Sequence, residues 1–516
     1  MRRLLCGLLL LFSAARLAAG ADIAALAYHD IVPVKDGDPF SITVAEFRRH
    51  MEYLAQAGYQ PISLAALQRA REGKAELPPK PVLLTFDDGY KSYHDTVFPI
   101  LREYGFPSVI SLVTSWIDRR SVPDYATAEF MTWTELRTLA RSPLVEILSH
   151  SDDLHRRVVA NAFGARMPAA ETRLYDATAN AYESEAAHRT RLRADLARSF
   201  ERIREELGVA PLGITWPYGR YDGPALEIAA ELGMRVYLTL DDEPTSLAAW
   251  PRINRATFRD YRKLADLGNL LTFRDFRKRQ WRFVSVDLAT FADKTSAEQA
   301  RLIFELGQRV ELLRVNAVVL RPFTPDGKRA YFHTDAMPVA ADVLSQIAFQ
   351  LTERAGLRNL ILQVPAGLDA RVYADLARLN WFSGVVIEAA DADDEFTRVA
   401  EVLQRLKPAL NVGVPGEDAT VDARASFTLI DVAMDTPPAT IAQRVEAAMQ
   451  ASPRPLFMLE RTPTTSAEAL TATMATLRAA GALHYGYGVD DFTQNRPEFL
   501  RIVRPLAEYA IPPARP

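Results

Sequence analysis

Short apolar segments alternate with longer amphipathic segments along most of the chain. Residues 23–28, 82–86 and 145–148 are mostly apolar and short enough to be buried strands. Between them, segments such as residues 43–57 place apolar side chains on one face with the period of an α-helix. Because this alternation is typical of parallel sheets, it predicts an α/β first domain over residues 22–255, most simply a barrel.

The same alternation returns in the second half, after a charged and turn-poor stretch, residues 256–280, which we interpret as a connecting segment. Eight further strands are predicted there, at residues 283–286, 317–320, 359–363, 384–387, 410–414, 427–430, 456–459 and 484–487. Helical patterns such as residues 297–313 and 438–451 fill the intervals. Eight β/α repeats within residues 281–516 predict a compact TIM-like (β/α)8 barrel.

Chemically active side chains follow the predicted strands of the first half at the points where the strands end. These side chains are His29, Asp87, Asp88, His150, His155 and Tyr218. Because the carboxyl ends of parallel strands meet at one edge of a sheet, we expect the six to lie close together. Asp-Asp-Gly at residues 87–89 is by itself also a turn signal, but a plain turn explains none of the other four side chains.

Asp88, His150 and His155 are suited to hold a metal ion. A catalytic zinc-type site needs about three protein ligands and one open position, with histidine nitrogen and carboxylate oxygen as usual donors. The two histidines are five residues apart, a spacing that a helix aligns poorly but a loop leaving a strand can turn inward. We expect one divalent ion, with zinc, cobalt, nickel and ferrous iron all open as candidates.

Composition and the first residues bear on the compartment. The net charge of −4 gives no reason to expect nucleic acid as a partner. A pair of arginines precedes an apolar run at residues 4–12 and a small-residue stretch at residues 14–21, which predicts a signal peptide over residues 1–21 and a periplasmic protein. The single cysteine, Cys6, precedes most of the apolar run, so we recognise no lipid-anchor motif and expect no thiol chemistry in the mature chain.

Three motifs together resemble those of polysaccharide deacetylases, carbohydrate esterase family 4. They are Thr-Phe-Asp-Asp-Gly at residues 85–89, the pair His150 and His155, and Trp-Pro-Tyr-Gly at residues 216–219. The resemblance implies that Asp87 is the catalytic base, while Asp88 and the two histidines hold the metal. It also implies that Tyr218 contributes its backbone N–H to an oxyanion hole. The reaction expected is metal-assisted hydrolysis of an acetamide.

One departure from the family pattern concerns the general acid. The family takes this histidine from a motif near the end of the domain, but no histidine occurs here between His188 and His333. His29, at the end of the first predicted strand, would then be the acid, which implies a circularly permuted deacetylase barrel. Arg252 is a candidate to orient Asp87, although a surface arginine is equally consistent with its position.

Tyr-His-Asp at residues 28–30 and Phe-Met-Thr-Trp at residues 130–133 narrow the resemblance to the poly-β-1,6-N-acetyl-D-glucosamine N-deacetylases of bacterial biofilm export systems. This implies partial N-deacetylation of that exported polysaccharide, and makes an outer-membrane export porin a candidate partner. The motifs do not read the glycosidic linkage, so a chitin or peptidoglycan N-deacetylase stays open. A non-catalytic carbohydrate-binding export adaptor is the alternative from another class.

The second domain resembles the glycoside-hydrolase-like barrel of the same proteins, which implies that it binds the polymer. The acids that are candidates to contact sugar there are Asp287, Glu388, Asp391 and Asp490. The sequence departs from the resemblance at the fourth strand, where the usual acidic pair is missing. Paired carboxylates flanking a sugar are the glycosidase arrangement, so we favour polymer binding and leave cleavage open.

Overall fold

The structure is a computed structural model that describes residues 22–123, 128–241, 244–259, 262–274, 279–388, 393–416 and 425–507. The predicted signal peptide, residues 1–21, and the candidate Asp391 lie outside the described residues. The chain divides into two compact units. The first comprises Met1–Val158, Pro168–Glu171 and Glu183–Lys278, and the second comprises Val159–Met167, Thr172–Tyr182 and Arg279–Pro516.

Strands and helices alternate through the part of the chain before residue 280. The strands are β1 (Ala24–Tyr28), β2 (Ile31–Val32), β3 (Ile42–Thr43), β4 (Gln60–Pro61), β5 (Pro81–Phe86), β6 (Ser108–Leu112), β7 (Val145–Ser149), β8 (Arg157–Val159), β9 (Arg166–Pro168), β10 (Tyr175–Asp176), β11 (Ala181–Tyr182), β12 (Ile214–Thr215), β13 (Tyr237–Thr239), β14 (Arg252–Asn254) and β15 (Ala256–Thr257). The helices are α1 (Val44–Gln56), α2 (Leu64–Arg71), α3 (Phe98–Tyr104), α4 (Thr114–Ile117), α5 (Trp133–Ala140), α6 (Glu185–Leu207), α7 (Gly223–Glu231) and α8 (Leu264–Leu271).

A parallel sheet organises the first unit. Its strands follow the order β14-β13-β12-β7-β6-β5-β1-β15, with β4 paired to β5 at the side. The two ends of this path, β14 and β15, are separated in the chain by Arg255 alone, so the sheet curves until its edges nearly meet. The α/β class and the parallel strands are as predicted from the alternation, and the circular permutation stays a prediction.

Helix starts in this unit are fixed by local sequence. Thr43 and Thr132 each accept a hydrogen bond from the backbone N–H three residues on, and Glu46 and Glu135 bond back to the backbone of the threonine. These capping boxes satisfy N–H groups that a helix otherwise leaves unpaired. They begin α1 and α5, whose buried faces cover the sheet.

Residues 256–280 do not behave as the connecting segment that their charge suggested. β15 pairs in parallel with β1, aligning Ala256 with Leu26. Helix α8 then buries Leu267 and Leu271 in the same core as β1 and β5. The described residues 256–259 and 262–274 therefore belong to the first unit, because their sheet pairing and apolar face outweigh their charged surface.

A closed barrel of eight parallel strands forms the second unit. The strands are β16 (Arg282–Val286), β17 (Ala317–Leu320), β18 (Asn359–Pro365), β19 (Gly384–Glu388), β20 (Asn411–Gly416), β21 (Phe427–Ala433), β22 (Pro455–Glu460) and β23 (His484–Gly488). The helices are α9 (Ser296–Leu313), α10 (Leu344–Phe349), α11 (Ala370–Leu379), α12 (Asp393–Leu406), α13 (Pro438–Ala451), α14 (Ala467–Ala479) and α15 (Phe499–Ala507). This confirms the predicted TIM-like barrel.

Side chains from most of the barrel strands fill the barrel interior. Phe283, Val319, Val386, Phe427 and Leu456 belong to one buried cluster contributed by five different strands. A packed interior leaves the carboxyl ends of the strands as the place for ligands. Among the described residues of both units, no helix combines the length and the apolar character that a membrane span requires.

Candidate active site

Two adjacent carboxylates lie at the carboxyl end of β5, in the middle of the sheet. Strand β5 is buried along its length, and Asp87 and Asp88 are only 5% and 4% exposed. Asp88 has a left-handed backbone with φ of 71°, a conformation that costs energy for a non-glycine residue and is concentrated at functional sites. Gly89 follows with φ of 83°, and a Cβ there would lie 3.0 Å from Ile117 Cδ1. The tight turn brings both carboxylates to the sheet edge.

Asp87 forms a buried bidentate ion pair with Arg255. The guanidinium Nη1 lies 2.7 Å from Oδ1 and Nη2 lies 3.0 Å from Oδ2, and Nη1 also donates to Thr85 Oγ1 at 2.9 Å. Burial raises the pKa of Asp87, but the charge and hydrogen bonds of Arg255, together with the nearby His150 and His29, hold the pKa below its ordinary value. The carboxylate is therefore ionised and fixed in orientation, two properties that a general base needs.

The predicted supporting role of Arg252 is wrong, because Arg255 occupies that place. Arg252 begins β14, whereas Arg255 follows the last residue of that strand. Side chains that follow a parallel strand lie on the side of the sheet where the site forms. Arg252 hydrogen-bonds Tyr221 instead. Applying the strand-end rule to this segment would have selected the later arginine.

His150 and His155 converge on Asp88 from the loop that follows β7. Nε2 of each histidine lies 3.4 Å from Asp88 Oδ1. His150 Nδ1 lies 2.6 Å from the carbonyl oxygen of Thr215, which is only an acceptor. We therefore assign the proton to Nδ1, which leaves the Nε2 lone pair of His150 directed at the aspartate side.

The protonation states in this cluster suit metal ligation. Burial lowers the pKa of His155 to about 4, so its imidazole is neutral at neutral pH. Burial opposes ionisation of Asp88, but the adjacent histidines hold its pKa well below the usual range. Burial lowers the pKa of His150 as well, but the close approach of Asp88 and the negative charges of Asp87 and Asp88 raise it overall. Metal binding requires an ionised carboxylate and neutral imidazoles, and would displace the proton from His150.

The three side chains fit a divalent cation. Asp88 Oδ1 is buried and makes no hydrogen bond within the described part of the chain. One donor atom from each of Asp88, His150 and His155 lies within 4.8 Å of the others. Metal–ligand bonds of about 2.0–2.2 Å at tetrahedral angles separate ligand atoms by about 3.3–3.6 Å. The 3.4 Å from Asp88 Oδ1 to each histidine matches that separation.

His29 and Tyr218 complete the set predicted from strand ends. His29 follows β1, the strand next to β5, and interacts electrostatically with both Asp87 and Asp88. Its Nδ1 is buried and makes no hydrogen bond to any described residue. Tyr218 has a left-handed backbone with φ of 59°, and its ring centroid lies 4.6 Å from that of His155. The structure thus gathers all six predicted side chains at one end of the sheet.

Comparison with known proteins agrees with this geometry. Residues 74–237 match the family model for polysaccharide deacetylase. The chain is 31% identical over 391 residues to the poly-beta-1,6-N-acetyl-D-glucosamine N-deacetylase of Escherichia coli strain K12, covering 73% of this chain and 54% of the relative. Residues 74–237 form a polysaccharide deacetylase domain. The chain spans about half the length of the E. coli relative. The alignment covers 73% of this chain, which is more than the residues before the C-terminal barrel, so it extends into the barrel.

Solved deacetylase structures also match. A de-N-acetylase from Aggregatibacter actinomycetemcomitans is 31% identical, with 48% of this chain and 100% of that chain covered and a TM-score of 0.45. The BpsB deacetylase domain from Bordetella bronchiseptica is 36% identical, with 46% of this chain and 98% of that chain covered and a TM-score of 0.41.

Outside the deacetylase domain, the candidates in the C-terminal barrel have different environments. Asp490 is inaccessible, and both its oxygens bond Arg309, at 3.1 and 2.8 Å. Its predicted role in sugar contact is therefore wrong, because the carboxylate is used inside the fold. Asp287 is exposed and caps a short helical turn through the N–H of Ala289 at 2.8 Å. Glu388 is partly buried at the end of β19 and lies 2.6 Å from Arg321.

Two further acids lie at the same end of this barrel. Asp431 and Glu460 belong to the adjacent strands β21 and β22. Partial burial and the charge of Glu460 raise the pKa of Asp431 to about 6, with Arg321 opposing and Glu388 adding to the rise. The mouth of the barrel therefore carries at least three carboxylates beside one guanidinium.

Proposed function

We propose that the chain is a metal-dependent N-deacetylase of poly-β-1,6-N-acetyl-D-glucosamine. The observation that carries the proposal is the oriented, ionised Asp87 beside the converging donor atoms of Asp88, His150 and His155. The E. coli relative is named for that polysaccharide, and its alignment extends beyond the deacetylase domain. Partial deacetylation of an exported biofilm polymer is the role that we assign on this basis.

The residues of this chain divide the reaction among them. Asp88, His150 and His155 would hold the divalent cation, which supplies Lewis-acid activation of the acetamide carbonyl and of water. Asp87 accepts the proton of the attacking water, and Arg255 keeps its carboxylate ionised and oriented. The backbone N–H of Tyr218 donates to the developing oxyanion. His29 protonates the departing glucosamine nitrogen.

Acetate release from defined polymers tests the assignment. We expect release from poly-β-1,6-N-acetylglucosamine at least tenfold faster than from chitin oligomers or peptidoglycan. Treatment with a chelator is expected to abolish release, because it removes the cation that activates the carbonyl and the water. Added Co²⁺ or Zn²⁺ is expected to restore release, since the three ligands hold the ion and leave one position open for substrate. Release from chitin oligomers as fast as from poly-β-1,6-N-acetylglucosamine would contradict the substrate assignment and favour a chitin deacetylase. Activity that survives complete chelation would contradict the metal-dependent mechanism.

We propose that the C-terminal barrel binds the partly deacetylated polymer. Deacetylation creates ammonium groups, and Glu388, Asp431 and Glu460 offer carboxylates to receive them. Glu388→Gln and Asp431→Asn are each expected to weaken binding about tenfold, since a hydrogen bond to a charged group is worth about 1.5–3 kcal/mol. Calorimetry on the metal-stripped full chain measures this. Glu446→Gln, on the outer helix α13, is the control, and variants that bind as tightly as this control would count against the proposal.

Export is part of the same proposal. An apolar run after paired arginines, followed by small residues, supports a signal peptide over residues 1–21 and a periplasmic location. The proposed substrate is an exported polymer, so an outer-membrane export porin is the partner that fits this location.

A further inference from the structure

The loop from His150 to His155 is hydrogen-bonded to helix α6 through one carboxylate, that of Asp195. Asp195 Oδ1 accepts a hydrogen bond from the backbone N–H of Asp152 at 2.9 Å. Its other oxygen, Oδ2, accepts from the backbone N–H of Asp153 at 2.7 Å. These two consecutive N–H groups form the middle of the loop that carries both histidines.

The same face of α6 also contacts the start of this loop. Ser199, one helical turn after Asp195, lies 2.7 Å from Ser149 through their hydroxyl oxygens. Ser149 ends β7, and its Oγ accepts from the N–H of Ser151 at 3.0 Å. Helix α6 therefore contacts the loop immediately before His150 and again halfway to His155, so it can set the spacing between the two rings.

The loop is also held from its other side, which makes the contribution of Asp195 specific. The Asp152 carboxylate accepts from Thr114 Oγ1 at 2.7 Å and pairs with Arg120. The carbonyl oxygens of Ser151 and Asp152 also accept from the N–H groups of Thr114 and Ser115, at 3.2 Å each. Asp195 is the side chain that accepts from the N–H groups of Asp152 and Asp153. Ser151 has a left-handed backbone with φ of 72°, so the loop follows a path that unaided peptide would rarely adopt.

Asp195 itself gains little from this position. It has no ion-pair partner within the part of the chain that the structure describes, and burial together with the charges of Asp152 and Asp153 raises its pKa to about 7. A partly buried carboxylate without a cation is costly unless its hydrogen bonds compensate. Both of its hydrogen bonds go to the loop between His150 and His155, so any advantage of this carboxylate lies in the position of that loop.

We propose that Asp195 is a positioning residue that presets His150 and His155 for the divalent cation. The inference rests on the proposed metal-dependent function, since it concerns the metal ligands. Asp195 touches neither the cation nor the substrate in this scheme. It acts by fixing the loop backbone, so that binding the metal requires little ordering of the ligands. Groups that orient metal ligands from outside typically change metal affinity by about 10- to 100-fold.

Cobalt binding to the chelator-stripped full chain tests the proposal without relying on catalysis. Asp195→Ala removes both acceptors and Asp195→Asn keeps one. Glu205→Gln alters an exposed carboxylate on the same helix and is the matched control. Titration with Co²⁺ gives a dissociation constant, and the visible absorption band of the saturated protein reports the ligand geometry.

We expect Co²⁺ to bind Asp195→Ala about 10- to 100-fold more weakly than the unchanged chain, with Asp195→Asn between them and Glu205→Gln unchanged. The visible band should shift or weaken in the alanine variant. A purely structural role would lower the melting temperature but leave the affinity and the band as they are, and that result would overturn the proposal. Should the alanine variant fail to fold, the asparagine variant decides by the same criteria.

The outcomes separate this inference from the proposed function. If the unchanged chain binds Co²⁺ but releases no acetate from any polymer, the proposed function is refuted. The role of Asp195 is then still decided by the Co²⁺ affinities of its variants. An unchanged chain that releases acetate in a metal-dependent way, with equal Co²⁺ affinity in Asp195→Ala, would refute the inference alone. An unchanged chain that binds no Co²⁺ would refute both.

Discussion

Asp87→Asn is expected to slow acetate release by about 10²- to 10⁴-fold, the range that loss of a general base produces. Asparagine has the shape of aspartate but cannot accept the proton of the attacking water. The rate is measured at saturating polymer with the protein loaded with Co²⁺. Because Asp88, His150 and His155 are unchanged, Co²⁺ should still bind within a few-fold of its original affinity.

Two checks keep this prediction specific to the chemistry. The substitution leaves Arg255 without its carboxylate partner, so circular dichroism must show that the variant is folded at the assay temperature. Glu205→Gln, an exposed carboxylate-to-amide change on α6, should leave the rate unaltered. A folded, Co²⁺-loaded Asp87→Asn chain with the original rate would remove Asp87 from the mechanism.

The sequence predicted the side chains that depend only on where a strand ends. Asp87, Asp88, His150 and His155 each follow an apolar segment, and parallel strands bring such positions to one edge. The structure places them together as expected. The roles assigned to them came from the resemblance of the motifs and stay predictions.

What the sequence could not supply is the choice of partner across long separations. Arg255 meets Asp87 across 168 positions, and choosing it over Arg252 required knowing the last residue of β14. Asp490 also follows a predicted strand, but Arg309, 181 positions earlier, occupies both its oxygens. Whether a strand-end acid is free depends on which side chain the fold brings to it.

The segment after residue 255 differs from its prediction for a related reason. Its charge suggested a connection, but β15 completes the sheet by pairing with β1, more than 200 positions earlier in the chain. A two-residue strand has no periodicity that a sequence pattern could reveal. Pairing partners of such short strands follow from the curvature of the whole sheet rather than from local composition.

Arg255→Met is expected to destabilise the metal-free chain by about 3–5 kcal/mol at neutral pH, the cost of leaving one member of a buried ion pair unpaired. Urea denaturation followed by circular dichroism measures the change. Arg252→Met, three residues earlier, is the matched control and should cost clearly less, since Arg252 hydrogen-bonds Tyr221 whereas Arg255 pairs with Asp87. Equal losses in the two variants would contradict the assignment of Arg255.

The sign of the pH dependence distinguishes loss of this pair from loss of packing. In the unchanged chain the folded pKa of Asp87 is lowered, so the stability from the pair is present above the unfolded pKa of about 4 and is lost as pH falls through the folded value. Without Arg255, burial is the largest influence on Asp87 and is opposed by the weaker effects of His150 and His29, so we expect its folded pKa to rise. The stability deficit of Arg255→Met should therefore be greatest at neutral pH and shrink as pH falls toward about 4.

The same change in Asp87 has a catalytic consequence. Asp87 must be ionised to accept a proton, so a raised pKa moves the acidic limb of the pH profile for acetate release to higher pH. Arg255→Met should show this movement in kcat/KM, and Arg252→Met should not. A stability deficit that does not vary with pH, together with an unmoved acidic limb, would mean that Arg255 serves packing and not the charge state of the base.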